Sequence, residues 1–170
     1  LDKVLFVIDM QEIYVGRGRS KEKFPYKDDI LFEQINKRIA EYKPEEVFYI
    51  KSIAKGLGSI VGSMPKDGTH EAKLAEKLKI VGSGNVFEKS KPDAFTNDAL
   101  ADLMRARAVK EIELVGVDGG VSVGATAVSA IENLDMRIIY NENCIGTINS
   151  GKAVKYREKM RRSRVTFLHY

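Results

Sequence analysis

A single α/β domain, built as three layers with helices on both faces of a six-stranded, mostly parallel sheet, is predicted by three features of this sequence. Short β-branched runs alternate with segments of helical period along the whole chain, and such alternation builds right-handed βαβ units. The first of those runs is almost free of polar residues, as expected of a strand covered on both faces. At 170 residues, with 44% hydrophobic and 31% charged residues, the chain is long enough to bury one sizeable core. No internal repeat, low-complexity stretch or second domain interrupts residues 1–170.

The elements follow in order. Val4, Phe6, Val7 and Ile8 mark the first strand. From about Asp28, Leu31, Ile35, Ile39 and Tyr42 recur at helical spacing, and Pro44 stops that helix. Residues 46–51 (EVFYIK) form a second strand. A short helix carries Leu74 and Leu78, and residues 85–88 (NVFE) make a third strand. Thr96 is the expected N-cap of the next helix, with Asp98 in its first turn and Leu100, Leu103 and Met104 on one face. A fourth strand at 111–115 (EIELV) runs into a glycine-rich turn at 116–120. The helix after it, 121–131, is small and apolar nearly all round, which predicts burial. Strands at 136–140 and 165–168 complete six, separated by a helix from about Ser150. The one long irregular stretch, 52–68, is of a length that points to a functional or mobile loop.

Composition narrows the function. The formal net charge is +4, and charges of both signs are interleaved, so no stripe points to nucleic acid. The basic run at 152–164 reads as the solvated face of a terminal helix. Cys144 is the only cysteine, which excludes an intrachain disulfide and a thiolate metal cluster. With that cysteine count, no leader-like opening and no apolar run of bilayer length, a cytoplasmic protein is expected, without a membrane partner.

Ligands of open parallel sheets bind outside the carboxyl ends of the strands. That rule selects Asp9 after the first strand, Lys89 after the third, and the turn from Gly116 to Ser122 after the fourth. The turn has neither the dinucleotide spacing nor a phosphate-loop motif, so no nucleotide cofactor is implied.

Together the three segments resemble the isochorismatase-like hydrolases, which include nicotinamidases and other cysteine amidases. VLFVIDMQ (residues 4–11) is similar to that family's first strand and catalytic aspartate. FEKSKPDAF (87–95) is similar to its lysine segment, and LVGVDGGVSVGATAVSA (114–130) to its nucleophile segment. The resemblance implies Asp9 as general base, Lys89 as its supporting lysine and Ser122 at the position of the nucleophilic cysteine. It also implies a cis peptide between Val117 and Asp118, an oxyanion hole from the amides of Asp118 and Ser122, and a homodimer or homotetramer. Substrate contacts are expected from Gln11, Ile13, Tyr14, Phe24, Phe95 and the 52–68 loop.

Three positions depart from the family pattern. Ser122 puts a hydroxyl, which depends on its base, where a far more nucleophilic thiol is usual. This leaves three readings: an engineered trap, a natural protein whose chemistry needs no thiolate, or a family member that only binds. The segment after the second strand lacks the Asp-x-His…His metal set of the nicotinamidases, and His70 and His169 lie elsewhere, so no metal is expected. Asp118 stands where a small residue is common; it reads either as a solvent-facing turn residue or as a holder of a cationic substrate group. The function expected is hydrolysis of a small molecule at an amide or related C–N bond. Vinyl-ether hydrolysis of the isochorismate kind, with an aspartic acid as proton donor, is the alternative enzyme class, and a non-catalytic binding protein the third.

Overall fold

A computed structural model describes residues 2–56 and 64–169. Its sheet has six strands, all parallel, in the order β3-β2-β1-β4-β5-β6. The strands are β1 (Lys3–Ile8), β2 (Val47–Ser52), β3 (Val86–Lys89), β4 (Glu111–Val117), β5 (Arg137–Gly146) and β6 (Val165–Leu168). The order reverses between β1 and β4, and a crevice opens at such a switch point beyond the strands' carboxyl ends.

Alternation of side chains along the strands divides the core in two. One face of β1 sends Val4, Phe6 and Ile8 against α3 (Asp98–Ala106) and α4 (Ser122–Leu134). The other sends Leu5 and Val7 against α1 (Glu12–Val15) and α2 (Asp28–Ala40). Every residue of β1 from Val4 on is buried, which is why the run carries no polar residue. Leu31, Phe32, Ile35 and Ile39 form the buried stripe of α2, each contributing about 1.5–3 kcal/mol by leaving water. The last helix, α5 (Ser150–Lys159), buries only Ala153 fully, and its basic residues face solvent as its composition predicts.

Two expectations are corrected. The N-cap of α3 is Asn97, whose side chain accepts from Leu100 N; Thr96 belongs to the preceding 3-10 turn, which Asp93 caps. Asn97 wins because its amide also donates to the Glu88 carbonyl at 2.8 Å, fixing the helix to β3. The segment carrying Leu74 and Leu78 is no α-helix; only a 3-10 turn at His70–Ala72 forms. Its backbone bonds instead to the loop after β1: Glu12 N donates to Lys73 O (2.8 Å) and Ala75 N to Met10 O (2.9 Å). Apolar spacing was satisfied by burying Ala75 and Leu78 without helical hydrogen bonds. Of the irregular 52–68 stretch, residues 57–63 lie outside the described residues.

Candidate active site

The strand register brings the site together before any side chain is considered. Ser52 pairs with Lys89 across β2 and β3, and Ile8 pairs with Ile50 and Gly116 on either side. The residues at or just beyond these positions therefore share one sheet edge. Asp9 turns out of β1 at φ +53°, a left-handed conformation that aspartate tolerates better than most side chains, while its N–H still bonds to Ile50 O. Gly116 has φ +120°, and a Cβ there would lie 2.1 Å from the Ile8 carbonyl oxygen. Only glycine lets β4 run this close to β1. The peptide between Val117 and Asp118 is cis, and α4 then begins at Ser122.

Four side chains close a ring of hydrogen bonds. Ser122 Oγ donates to Asp9 Oδ2 at 2.6 Å, and Ser52 Oγ donates to Asp9 Oδ1 at 2.9 Å. The Lys89 ammonium donates to Ser52 Oγ at 2.8 Å, to Ser122 Oγ at 2.9 Å and to Asp9 Oδ2 at 3.3 Å. All four residues are buried. An ammonium has three N–H groups, and here each has an acceptor, so the buried charge is paired and fully hydrogen-bonded. The N–H of Ser122, at the first position of α4, belongs to the first turn, whose amides lack intrahelical acceptors. Its neighbours Val121 N and Val123 N are taken up by the Asp118 carbonyl, both at 3.0 Å.

Asp118 fits neither of the roles expected of its side chain. It is 8% exposed. Its carboxylate accepts from Tyr26 Oη (2.9 Å), Gly120 N (2.7 Å) and Ile148 N (2.6 Å). These three donors tie the turn to the loop before α2 and to the loop after β5, and leave the carboxylate no cation to hold. Burial, and then the negative charge of Asp118, push the Tyr26 phenol well above its ordinary range, so it stays a hydrogen-bond donor.

Beside the ring lies a cavity of about 220 Å³ that Asp9, Ser52 and Ser122 line at one end. Its remaining wall is mainly apolar: Tyr14, Phe24, Tyr26, Met64, Val117, Val121 and Ile148. Tyr14 and Phe24 meet edge to face, with ring centroids 5.2 Å apart. Lys23 and Asn149 complete the lining. Three residues expected here are elsewhere. Phe95 packs on Phe6 (5.6 Å between centroids) in the core beneath α3 and α4, because Ala94 N is anchored to Thr126 Oγ1 of α4. Gln11 is fully buried with its amide clasping the backbone of Ser52: Nε2 donates to Ser52 O (2.9 Å) and to Ala72 O (3.0 Å), and Oε1 accepts from Ser52 N (2.8 Å). Ile13 lines a neighbouring hollow with His70 and Glu71.

Sequence reasoning missed Ser52, Tyr26 and Ile148. Ser52 was accessible to the same strand-end rule that selected Asp9 and Lys89, since it ends β2 on the same edge. Tyr26 and Ile148 carry no sequence signal, because only the folded loops bring them to Asp118. A metal does not fit this site. Ile53 and Ala54, which follow β2, carry no ligand atoms, and among the described residues no group of three or more His, Cys, Asp or Glu side chains converges.

Residues 3–167 match the sequence model of the isochorismatase domain. No curated protein sequence matches the chain. Several solved structures share the fold over nearly its whole length. An isochorismatase-like hydrolase from Alkaliphilus metalliredigens superposes with TM-score 0.79 at 14% identity, covering 98% of this chain and 92% of that one. N-carbamoylsarcosine amidase from Thermoplasma acidophilum gives 0.75 at 21% identity, with 98% and 95% covered. The zinc complex of pyrazinamidase from Pyrococcus horikoshii gives 0.75 at 16% identity, with 100% of both covered.

Proposed function

The chain belongs to the isochorismatase family of hydrolases, and from that premise we propose that it cleaves an amide or related C–N bond of a small molecule, with Ser122 as nucleophile and Asp9 as general base. The observation that carries this reading is the 2.6 Å hydrogen bond from Ser122 Oγ to Asp9 at the end of a mostly apolar cavity. A nucleophile and its base within such reach are the minimum geometry for acyl transfer.

The chemistry runs in two halves. Ser122 Oγ attacks the substrate carbonyl as its proton passes to Asp9 Oδ2. The carbonyl oxygen, now negative, is received by the amides of Asp118 and Ser122 at the start of α4, where the helix dipole favours an anion. The tetrahedral intermediate collapses, the C–N bond breaks, and the departing nitrogen takes the proton from Asp9. A water molecule then gives its proton to Asp9 and attacks the acyl ester; Ser122 leaves as the alcohol and the acid is released. Lys89, bonded to both Asp9 and Ser122, pairs with the carboxylate and keeps it aimed at the nucleophile.

Likeness in fold to two amidases, N-carbamoylsarcosine amidase and pyrazinamidase, is consistent with a C–N bond as the target, at identities that establish the fold alone. Ether hydrolysis of a dicarboxylate is less well served, because Lys23 is the only cation besides Lys89 bordering the cavity or its catalytic end among the described residues. The test is a panel of amides, carbamoyl compounds and isochorismate, assayed on the protein as it stands and on Ser122→Cys. Turnover of an amide, raised in Ser122→Cys and abolished by Asp9→Asn, is expected. Consumption of isochorismate alone, at equal rates in the serine and cysteine forms, would overturn the reading.

A further inference from the structure

The ring around Asp9 contains two serines in almost the same setting. Each hydroxyl donates to one oxygen of the carboxylate, and each accepts from the Lys89 ammonium at 2.8–2.9 Å. Both line the cavity. Side-chain chemistry alone does not say which of them attacks.

The backbone separates them. A serine nucleophile needs amide donors beside it for the developing oxyanion. Ser122 begins α4, a helix of 13 residues, where N–H groups have no intrahelical carbonyl. The Ser52 N–H is already occupied by Gln11 Oε1 at 2.8 Å, and its carbonyl by Gln11 Nε2 at 2.9 Å. Gln11 is fully buried and also bonds to Ala72 O, so this clasp is held from two sides. Ser52 is therefore fixed in place and has no free backbone donor of its own to offer an oxyanion.

Resting on the proposed function, we infer that Ser52 is a positioning residue of the hydrolytic site: its hydroxyl occupies Asp9 Oδ1 and one N–H of Lys89, leaving Asp9 Oδ2 as the oxygen that takes the proton from Ser122. The clasp by Gln11 sets the angle of that hydroxyl. No covalent step involves Ser52. Its contribution is to hold the carboxylate and the ammonium in the orientation that turns both toward position 122, so that removing it leaves Lys89 less well aimed at an anion there.

The experiment reads this without needing a substrate. In a Ser122→Cys, Cys144→Ala background, the pH dependence of iodoacetamide alkylation gives the apparent titration of the introduced thiol. Adding Ser52→Ala is expected to move that profile to higher pH by about one unit. Ser52→Thr, which keeps a hydroxyl, is expected to restore it. Gln11→Ala, which releases the Ser52 backbone and leaves the hydroxyl present, should shift the profile in the same direction by less. If Ser52→Ala folds and alkylates with an unmoved profile, or if Ser52→Thr behaves as Ser52→Ala does, Ser52 only fills space and the inference is wrong. Where an amide substrate is found, Ser52→Ala should lower kcat 10- to 100-fold with KM within about threefold. A panel in which no amide is turned over would sink the amidase reading, while the alkylation profile would still decide the role of Ser52.

Discussion

Two buried ionic clusters sit on this sheet, and they are built from similar parts for different ends. At the carboxyl edge, Asp9, Lys89, Ser52 and Ser122 close on one another beside a cavity. Farther back, Glu113 of β4 is fully buried and accepts from Arg38 Nε (2.8 Å) and Nη2 (2.6 Å), Tyr42 Oη (2.5 Å) and Asn141 Nδ2 (2.8 Å). Both clusters satisfy their charges, as burial demands. The first opens on a cavity and lies at the start of α4. The second joins the end of α2 to two strands, with Glu113 and Asn141 fully buried. Burial of charge is thus common to both; what singles out the catalytic candidate is access to a cavity and a place at the start of a helix.

The sharpest way to break this contrast is Ser122→Ala. It should lower kcat/KM for any amide turned over by about 10⁴-fold or more. Stability should change by less than about 1 kcal/mol, because Asp9 and Lys89 keep their pairing. Glu113→Gln should do the reverse. It leaves Arg38 facing a neutral amide and should cost about 3 kcal/mol by denaturant unfolding, with kcat/KM of the folded protein within twofold. A comparable loss of activity in Glu113→Gln would mean that the rear cluster belongs to the site.

Gly116→Ala tests the backbone that joins the two regions. A Cβ at φ +120° and 2.1 Å from the Ile8 carbonyl should cost about 2–3 kcal/mol. It should also depress activity, since Asp9 directly follows Ile8.

The smallest effect concerns acid. Burial by itself raises the Glu113 carboxyl, but hydrogen bonds from Arg38, Asn141 and Tyr42 outweigh it and hold the group below its ordinary value of 4.5. A depressed folded-state value means that the stabilisation is complete above about pH 4.5. It is lost as pH falls through the folded value. Stability of Glu113→Gln should accordingly fall less steeply than that of the parent protein below pH 4.5, and parallel slopes would show that Glu113 is not held ionised by folding.

How legible each region was follows from the kind of signal it left. Asp9, Lys89 and Ser122 were readable because strand ends on one edge of a parallel sheet converge whatever the loops do. Their neighbours depended on contacts across 41 to 92 positions: Gln11 with Ser52, and Tyr26 with Asp118. Gln11 and Phe95 were placed in the pocket because they stand next to motif residues, yet chain direction beyond a strand end put one under the sheet edge and the other in the core. Glu113 lies inside an apolar strand with nothing to announce its partners, since Arg38 of α2 and Tyr42 just beyond that helix are 75 and 71 positions away. The apolar spacing at Leu74 and Leu78 looked helical because burial, and not backbone hydrogen bonding, was all it recorded.

The central claim is that the edge of this sheet activates a nucleophile at position 122. Alkylation by iodoacetamide at pH 7 of Ser122→Cys, made in a Cys144→Ala background because Cys144 is itself fully buried, measures that most directly. The helix start and the Lys89 ammonium both favour a thiolate, so the rate should exceed that of a free cysteine by at least tenfold and fall sharply when Lys89→Met is added. A rate no faster than free cysteine, in a variant that folds, would contradict it.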